Sequence, residues 1–203
     1  MTDLVSGTDA EGAGKAIIVS APSGAGKTTL VKALLAEVPG LEISVSHTTR
    51  PPRPSETHGR DYFFVSEAEF AALIAEGAML EHATVFGNSY GTSRHFVESR
   101  LAAGADVVLE IDWQGALLAR EQLSRSASIM VLPPSLDALA TRLRGRGQDD
   151  ASTIERRLAE ARTELSHHQE FDYLVINDDF DMALRQLRSR SEEHTSELQS
   201  PDH

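Results

Sequence analysis

Cysteine is absent from the 203 residues. Its absence excludes a disulfide framework, a thiolate zinc site and cysteine nucleophile chemistry. It also fits a reducing compartment, so the cytoplasm is the expected location. Basic charge is scarce, with 19 Lys+Arg against 31 Asp+Glu and a formal net charge of −12. A field of that sign repels nucleic acid and anionic membranes, and neither is expected as a partner. Any anionic ligand has to be held by local arginines or by backbone N–H groups. Long apolar runs are missing too: none approaches the roughly 18 residues of a membrane span. The opening stretch MTDLVSGTDAEGAG lacks the basic flank and apolar centre of a secretory signal, and residues 1–14 read as a flexible tail.

What is present is a globular composition, 40% hydrophobic and 25% charged, in a length that suits one domain with a small insertion. The last stretch, residues 190–203, has no helical or strand period and carries −3 of the net charge. It resembles the translation of a sequencing-library adaptor and is expected to be non-native, with Ser189 onward disordered or at best a loose helical extension that makes few contacts.

Between these ends, strand and helix patterns alternate, which predicts an α/β domain with a mainly parallel sheet. AIIVS (residues 16–20) reads as a buried strand, followed by a helix over about 26–38 that Pro39-Gly40 stops. LEISVS (41–46) alternates as a half-buried strand does. RPPRPSETHGRD (50–61) is a proline-interrupted loop, and YFFV (62–65) is a strand. Ser66 with Glu69 forms a capping box for the next helix. MLEHATV (79–85) reads as a strand and GNSYG (87–91) as a loop. A helix over 96–103 precedes DVVLEID (106–112), a buried strand that leads into a helix ending near 123. SIMVL (128–132) is followed by a helix that Ser135 caps. A long helix over about 153–168, the strand YLVIN (173–177) and a final helix from 180 complete the pattern.

The densest chemistry is APSGAGKT, Ala21, Pro22, Ser23, Gly24, Ala25, Gly26, Lys27 and Thr28, between the first strand and the first helix. This is the phosphate-loop pattern G-x-x-x-x-G-K-[ST] with Ala21 in place of the first glycine. Gly24 and Gly26 let successive N–H groups turn toward an anion, and the helix N-terminus adds its positive end. Lys27 then reaches the β- and γ-phosphates, while the Thr28 hydroxyl is placed for Mg2+; Thr29 extends the ATP-binding set. The motif implies a nucleoside triphosphate without naming the acceptor. Downstream, Arg50, Arg53 and Arg60 crowd one stiffened loop of an acidic chain, which favours an anion site. Glu110 and Asp112 end a buried strand, where such folds place acidic residues beside phosphates. The eight histidines are scattered without metal-ligand spacing.

SVSHTTRPPRPSETHGRDYFFV, then Glu81, GNSYGTS and LEIDWQG, together resemble the bacterial guanylate kinases over nearly all of residues 16–187. The resemblance implies a P-loop NTPase core (15–46 and 93–189), a GMP-binding insertion (about 47–92) and a small lid (about 142–157) within a 15–189 domain. It implies transfer of the γ-phosphoryl group of ATP to GMP or dGMP, with Mg2+ as cofactor. Carried over by motif, Arg50, Arg53, Tyr62 and Tyr90 hold the GMP phosphate, and Ser46, Glu81 and Thr92 meet the guanine edge. Guanine presents N1–H and N2–H2 side by side, so one carboxylate accepts both, and adenine offers no such pair. Asp112 falls on the Mg2+ and GMP side through water, with Glu110 beside it. Arg142, Arg146 and Arg157 supply cationic clamps from the lid, while Arg144 and Arg156 face solvent. Asn177 and Asp178 lie near the adenine, and Trp113 is a packing residue. Scaffold domains of the same fold that bind phosphopeptides lose phosphate-loop residues, whereas Lys27, Thr28 and Asp112 are present here. A kinase of ribose phosphates would not need Glu81 with the GNSYG segment.

Overall fold

The computed structural model describes residues 12–85, 87–145 and 150–197. Residues 1–11 of the N-terminal tail, Arg146 and residues 198–203 lie outside the described residues. Strand β1 (Ala16–Ser20) is buried at every position, as its unbroken apolar run requires. It is the centre of a five-stranded parallel sheet ordered β2-β7-β1-β8-β9. The partners are β2 (Glu42–Ser44), β7 (Val107–Glu110), β8 (Ser126–Leu132) and β9 (Tyr173–Ile176).

Because strand side chains alternate, this sheet has two apolar faces, each covered by helices. Ile17, Val19, Val108, Ile129, Val131 and Val175 face α1 (Lys27–Glu37) and α7 (Phe180–Glu197), whose Leu30, Leu34, Leu184 and Leu187 complete that layer. Ala16, Ile18, Val107, Leu109 and Met130 point the other way, onto Val97 of α3 (Arg94–Ala102) and Ala116 and Ala119 of α4 (Trp113–Gln122). Truncating one fully buried leucine in either layer costs on the order of 2–5 kcal/mol. Helices α5 (Leu136–Gly145) and α6 (Ala151–Ser166) pack on each other through Leu139, Leu143, Ile154 and Ala161, a small core of their own.

A second sheet, ordered β4-β3-β6-β5, is built from β3 (His47–Thr48), β4 (Phe63–Phe64), β5 (Met79–Val85) and β6 (Asn88–Ser93), with α2 (Glu67–Ala75) beside it. The expected Ser66–Glu69 capping box is formed. Two strand expectations change. The stretch 41–46 is not one strand: it leaves the parallel sheet after Ser44, and its continuation joins the second sheet at His47, with the Ser46 carbonyl accepting the Phe63 N–H at 2.9 Å. The stretch 87–91 is not a loop but the start of β6, paired antiparallel with β5 from Val85↔Asn88 onward. Gly87, at φ +76°, turns the chain. Asn, Ser and Gly have little strand propensity, so the pairing across β5 decides their conformation.

The final helix follows the helical-extension alternative and continues to Glu197, but its first turn beyond Ser189 is not loose. Leu184, Leu187 and Ser191 follow one buried stripe, and a serine is small enough to continue it. Arg188 Nε donates to Glu192 at 2.9 Å, one turn on, and the Arg190 guanidinium lies 5.2 Å from the Tyr173 ring. The buried Lys15 ammonium donates to the Ser191 carbonyl, tying the start of the domain to this segment.

Candidate functional site

The carboxyl ends of β1, β7 and β9 meet along one edge of the parallel sheet, where α/β folds bind ligands. Residues 21–26 leave β1 there and turn into α1. Gly26 is the residue before the helix and has φ +96°; Gly24 has φ +95°. Both need the left-handed region that glycine reaches without strain. A Cβ on Gly26 would also stand 2.4 Å from Asn177 Nδ2.

A cleft of about 420 Å3 opens over this turn. Along it lie Ala21, Pro22, Ser23, Gly24, Gly26, Lys27, Thr28 and Thr29 on one side, and Ser46, Arg50, Arg53, Tyr62, Glu81 and Tyr90 on the other. Glu110 and Asp112 stand between, and Arg157 reaches in from α6. Sequence motifs up to 136 residues apart thus converge on one cavity. Four expected site residues stand behind the wall. Ala25 is fully buried, and its carbonyl accepts from Asn177 Nδ2 at 2.7 Å. Thr92 is fully buried behind Glu81. Arg142 on α5 donates from Nη2 to the Asn177 carbonyl at 2.7 Å.

Around the turn, Lys27 Nζ donates to the Ile111 carbonyl at 2.8 Å, and the Thr28 hydroxyl donates to Glu110. Asp112 caps α4, its Oδ1 accepting the Gly115 N–H at 2.7 Å. Its Oδ2 is buried without a hydrogen-bond partner. A buried, unsatisfied carboxylate oxygen that shares a cleft with a hydroxyl and a second carboxylate offers the oxygen chemistry that suits a hard divalent cation and its water shell.

Glu81 is buried in a different setting. A register shift between Met79 and Glu81 interrupts the pairing of β5 with β6, after which Glu81, Ala83 and Val85 all face the cleft. The Thr92 hydroxyl donates to Glu81 Oε1 at 2.6 Å. Oε2 lies against Gly115, where a Cβ would stand only 2.4 Å away. Burial pushes the Glu81 carboxyl up to about 7; the Thr92 bond opposes the shift and the nearby Asp112 charge adds to it. In the same cleft, burial raises the Tyr62 hydroxyl to about 12, and Tyr62 meets Tyr90 edge-on at 6.0 Å. The Arg50 guanidinium lies 5.4 Å from the Tyr62 ring.

Two cleft residues add to the sequence reading. Arg156 is exposed, as expected, and also lines the cleft beside Arg157, where the packing of Ile154 and Ala161 on α5 sets the rotation of α6. Glu164, which carries no motif, lies two turns beyond Arg157 on the same helix and also enters the cleft. Burial raises its carboxyl to about 7, partly opposed by Lys27 and reinforced by Asp112 and Glu160. Its seven-residue spacing from Arg157 was the only available signal. Trp113 packs as expected, stacked on His167 with ring centres 3.6 Å apart.

The phosphate-loop turn, the buried Glu81 carboxylate and the Arg50–Arg53 pair thus line one cleft, and comparison with known proteins gives the family. Residues 13–194 match the family described as guanylate kinase. The chain belongs to the guanylate kinase family. It is 58% identical over 176 residues to the guanylate kinase of Hahella chejuensis, covering 87% of this chain and 85% of that one. It is 55% identical over 178 residues to the guanylate kinase of Escherichia coli, covering 87% and 86%. The crystal structure of guanylate kinase from Anaplasma phagocytophilum superposes with a TM-score of 0.76 at 33% identity, covering 93% of this chain and 88% of that one. A gluconokinase from Sinorhizobium meliloti, at 18% identity and a TM-score of 0.50, shares the fold alone. This family member is a kinase with the P-loop NTPase fold. Among the described residues, no helix is long and apolar enough to cross a membrane.

Proposed function

We propose that the chain transfers the γ-phosphoryl group of ATP to GMP or dGMP, giving ADP and GDP or dGDP. The observation that carries this reading is Glu81. It is a 5%-exposed carboxylate held by Thr92, in the same cleft as the phosphate turn and with the Arg50–Tyr62–Tyr90 cluster at its side. Ionised, it accepts the N1–H and N2–H2 of guanine, with Ser46 and Thr92 flanking it. Against adenine the same buried carboxylate would stand unpaired. Arg50, Arg53, Tyr62 and Tyr90 hold the acceptor phosphate, one of whose oxygens attacks the γ-phosphorus of ATP. That oxygen is already nucleophilic, so the protein contributes position and charge rather than a general base.

On the donor side, the N–H groups of Ser23, Gly24 and Gly26 face the triphosphate, while Pro22 has none and the Ala25 N–H is bonded to the Pro22 carbonyl at 3.0 Å. Lys27 exchanges the Ile111 carbonyl for a phosphate oxygen, and Thr28 and Thr29 open the helix beneath it. Asn177 holds the turn in shape through Ala25. Arg142 and Arg157 bring positive charge to the transferring group, a role that Arg146 shares by sequence. Mg2+ would be held through water by Thr28 and Asp112, with Glu110 alongside, and would supply charge neutralisation at the phosphates. We read the compartment as the cytoplasm, where these nucleotides occur.

The test is an ADP-release assay with ATP and, in turn, GMP, dGMP, AMP, CMP, UMP and ribose phosphates. Turnover confined to the guanine nucleotides is expected. Equal turnover with AMP, or turnover with ribose phosphates alone, overturns the reading.

A further inference from the structure

Glu56 lies outside the cleft, yet it organises the acceptor side. It sits six residues after Arg50 in the proline-stiffened loop, and its side chain is only 13% exposed. Arg50 Nη2 donates to both of its oxygens, at 2.8 and 3.0 Å. The backbone N–H of Arg53 donates to Oε2 at 2.7 Å, and Arg53 Nη1 lies 3.9 Å from Oε1. One carboxylate therefore gathers both arginines assigned to the acceptor phosphate. Hydrogen bonds from Arg50 and Arg53 hold that carboxyl below the usual range against the opposing effect of burial, so it carries its charge at neutral pH.

The consequence falls on the direction of Arg50. A free arginine side chain samples many rotamers, and ordering one costs up to about 2 kcal/mol. Here the Nη2 end is clamped to Glu56, and Nη1 donates to the Pro51 carbonyl at 2.8 Å. The flat face lies against Tyr62 and Phe64, at 5.4 and 5.8 Å. A guanidinium has five N–H groups, and those not turned toward Glu56 and Pro51 are left for the side where Tyr90 meets it.

We propose that Glu56 is a positioning residue of the acceptor-phosphate site: it fixes the Arg50 guanidinium in the orientation that receives the phosphate. This rests on the acceptor reading given above. A carboxylate that merely stapled the loop would need only the Arg53 N–H; the paired contact with Arg50 Nη2 gives Glu56 a second role.

Steady-state kinetics of the wild type, Glu56→Gln, Glu56→Asp, Arg50→Ala and the Arg50→Ala/Glu56→Gln double variant test this, with a thermal melt of each. Losing one charged hydrogen-bond partner raises the KM for GMP on the order of 10- to 100-fold in Glu56→Gln. The KM for ATP stays within about twofold, as expected of a site separate from the turn. Glu56→Asp, which keeps the charge on a shorter stem, shows the same GMP-only pattern to a smaller degree and serves as the deciding variant if the glutamine protein does not melt cooperatively. In the Arg50→Ala background the glutamine substitution changes the GMP KM far less than it does in the wild type, since only its contact with Arg53 remains to be lost. The inference is overturned by an unchanged KM for GMP, by equal losses for ATP and GMP, or by an undiminished effect of the glutamine in the Arg50→Ala background. A wild type that ignores GMP defeats the acceptor reading, whereas normal wild-type transfer with an indifferent Glu56→Gln defeats only this inference.

Discussion

The two walls of the cleft are made of different material. The donor wall is main chain: a turn whose glycines sit at φ +95° and +96°, with one lysine and a helix end. The acceptor wall is side chain: a carboxylate from β5 with a β6 hydroxyl behind it, two arginines from the loop before β4 and two tyrosines. Backbone N–H groups recognise phosphate without regard to what else is attached, so such a wall is local and shared by many folds. Side chains can read a base edge, but each must be aimed by packing elsewhere: Glu81 by the register shift and Gly115, Arg50 by Glu56. Generality is thus compact in sequence, and selectivity is dispersed.

The largest expected effect tests the donor wall. Lys27→Ala removes a charge from the transferring phosphates and nothing from the core. We expect kcat to fall on the order of 10³-fold or more, with the melting temperature held; a folded variant with near-normal turnover would falsify the assignment. Glu81→Gln probes the acceptor wall. It turns one acceptor into a donor facing guanine N–H groups, at about 2–4 kcal/mol in kcat/KM for GMP. The residual rate with AMP should hardly move, and parallel losses for the two nucleotides would remove base reading from Glu81.

A smaller effect sharpens the same contrast by titration. The Glu81 carboxyl is raised to about 7 in the free protein, so below that pH it holds a proton and cannot accept both guanine donors. kcat/KM for GMP should fall about tenfold per unit as pH drops below 7 and level off above it. The GMP phosphate itself titrates near pH 6, so the part of the limb owed to Glu81 is the part that Glu81→Gln flattens. If the variant keeps the full wild-type profile, another group owns the limb. The smallest effect lies away from the cleft. A chain ending at Ser189 deprives the buried Lys15 ammonium of the Ser191 carbonyl, at about 1–3 kcal/mol of stability. Denaturant midpoints should drop while kcat persists; an unchanged midpoint would mean that residues 190–197 add nothing to the fold.

How much of this was legible in sequence follows the same divide. Strand β1, the phosphate turn and α1 were readable because their signals are contiguous: an apolar run, two glycines and a helix stopped by Pro39-Gly40. The capping box at Ser66 and the ends of β5 were readable for the same reason. Where tertiary partners decide, local signals misled. Asn88, Ser89 and Tyr90 form a strand only because β5 lies beside them. The polar stretch after Ser189 stays helical because one serine fits a leucine stripe and one lysine reaches it. Glu56 was hidden in plain view, since a carboxylate in a basic loop resembles a solvated one until its distances to Arg50 are known.

Asn177 joins two of these parts. Its side chain grips the Ala25 carbonyl inside the phosphate turn, and its own carbonyl gives Arg142 of α5 a berth. An arginine moored to a neutral carbonyl by a charged hydrogen bond, worth about 1.5–3 kcal/mol, does not drift. Water offers it nothing better, whereas the oxygens of a polyphosphate carry full negative charge and do. If Arg142 acts in the transfer proposed above, the mooring sets a threshold: the guanidinium leaves its berth only for an anion that holds it more tightly than the Asn177 carbonyl does.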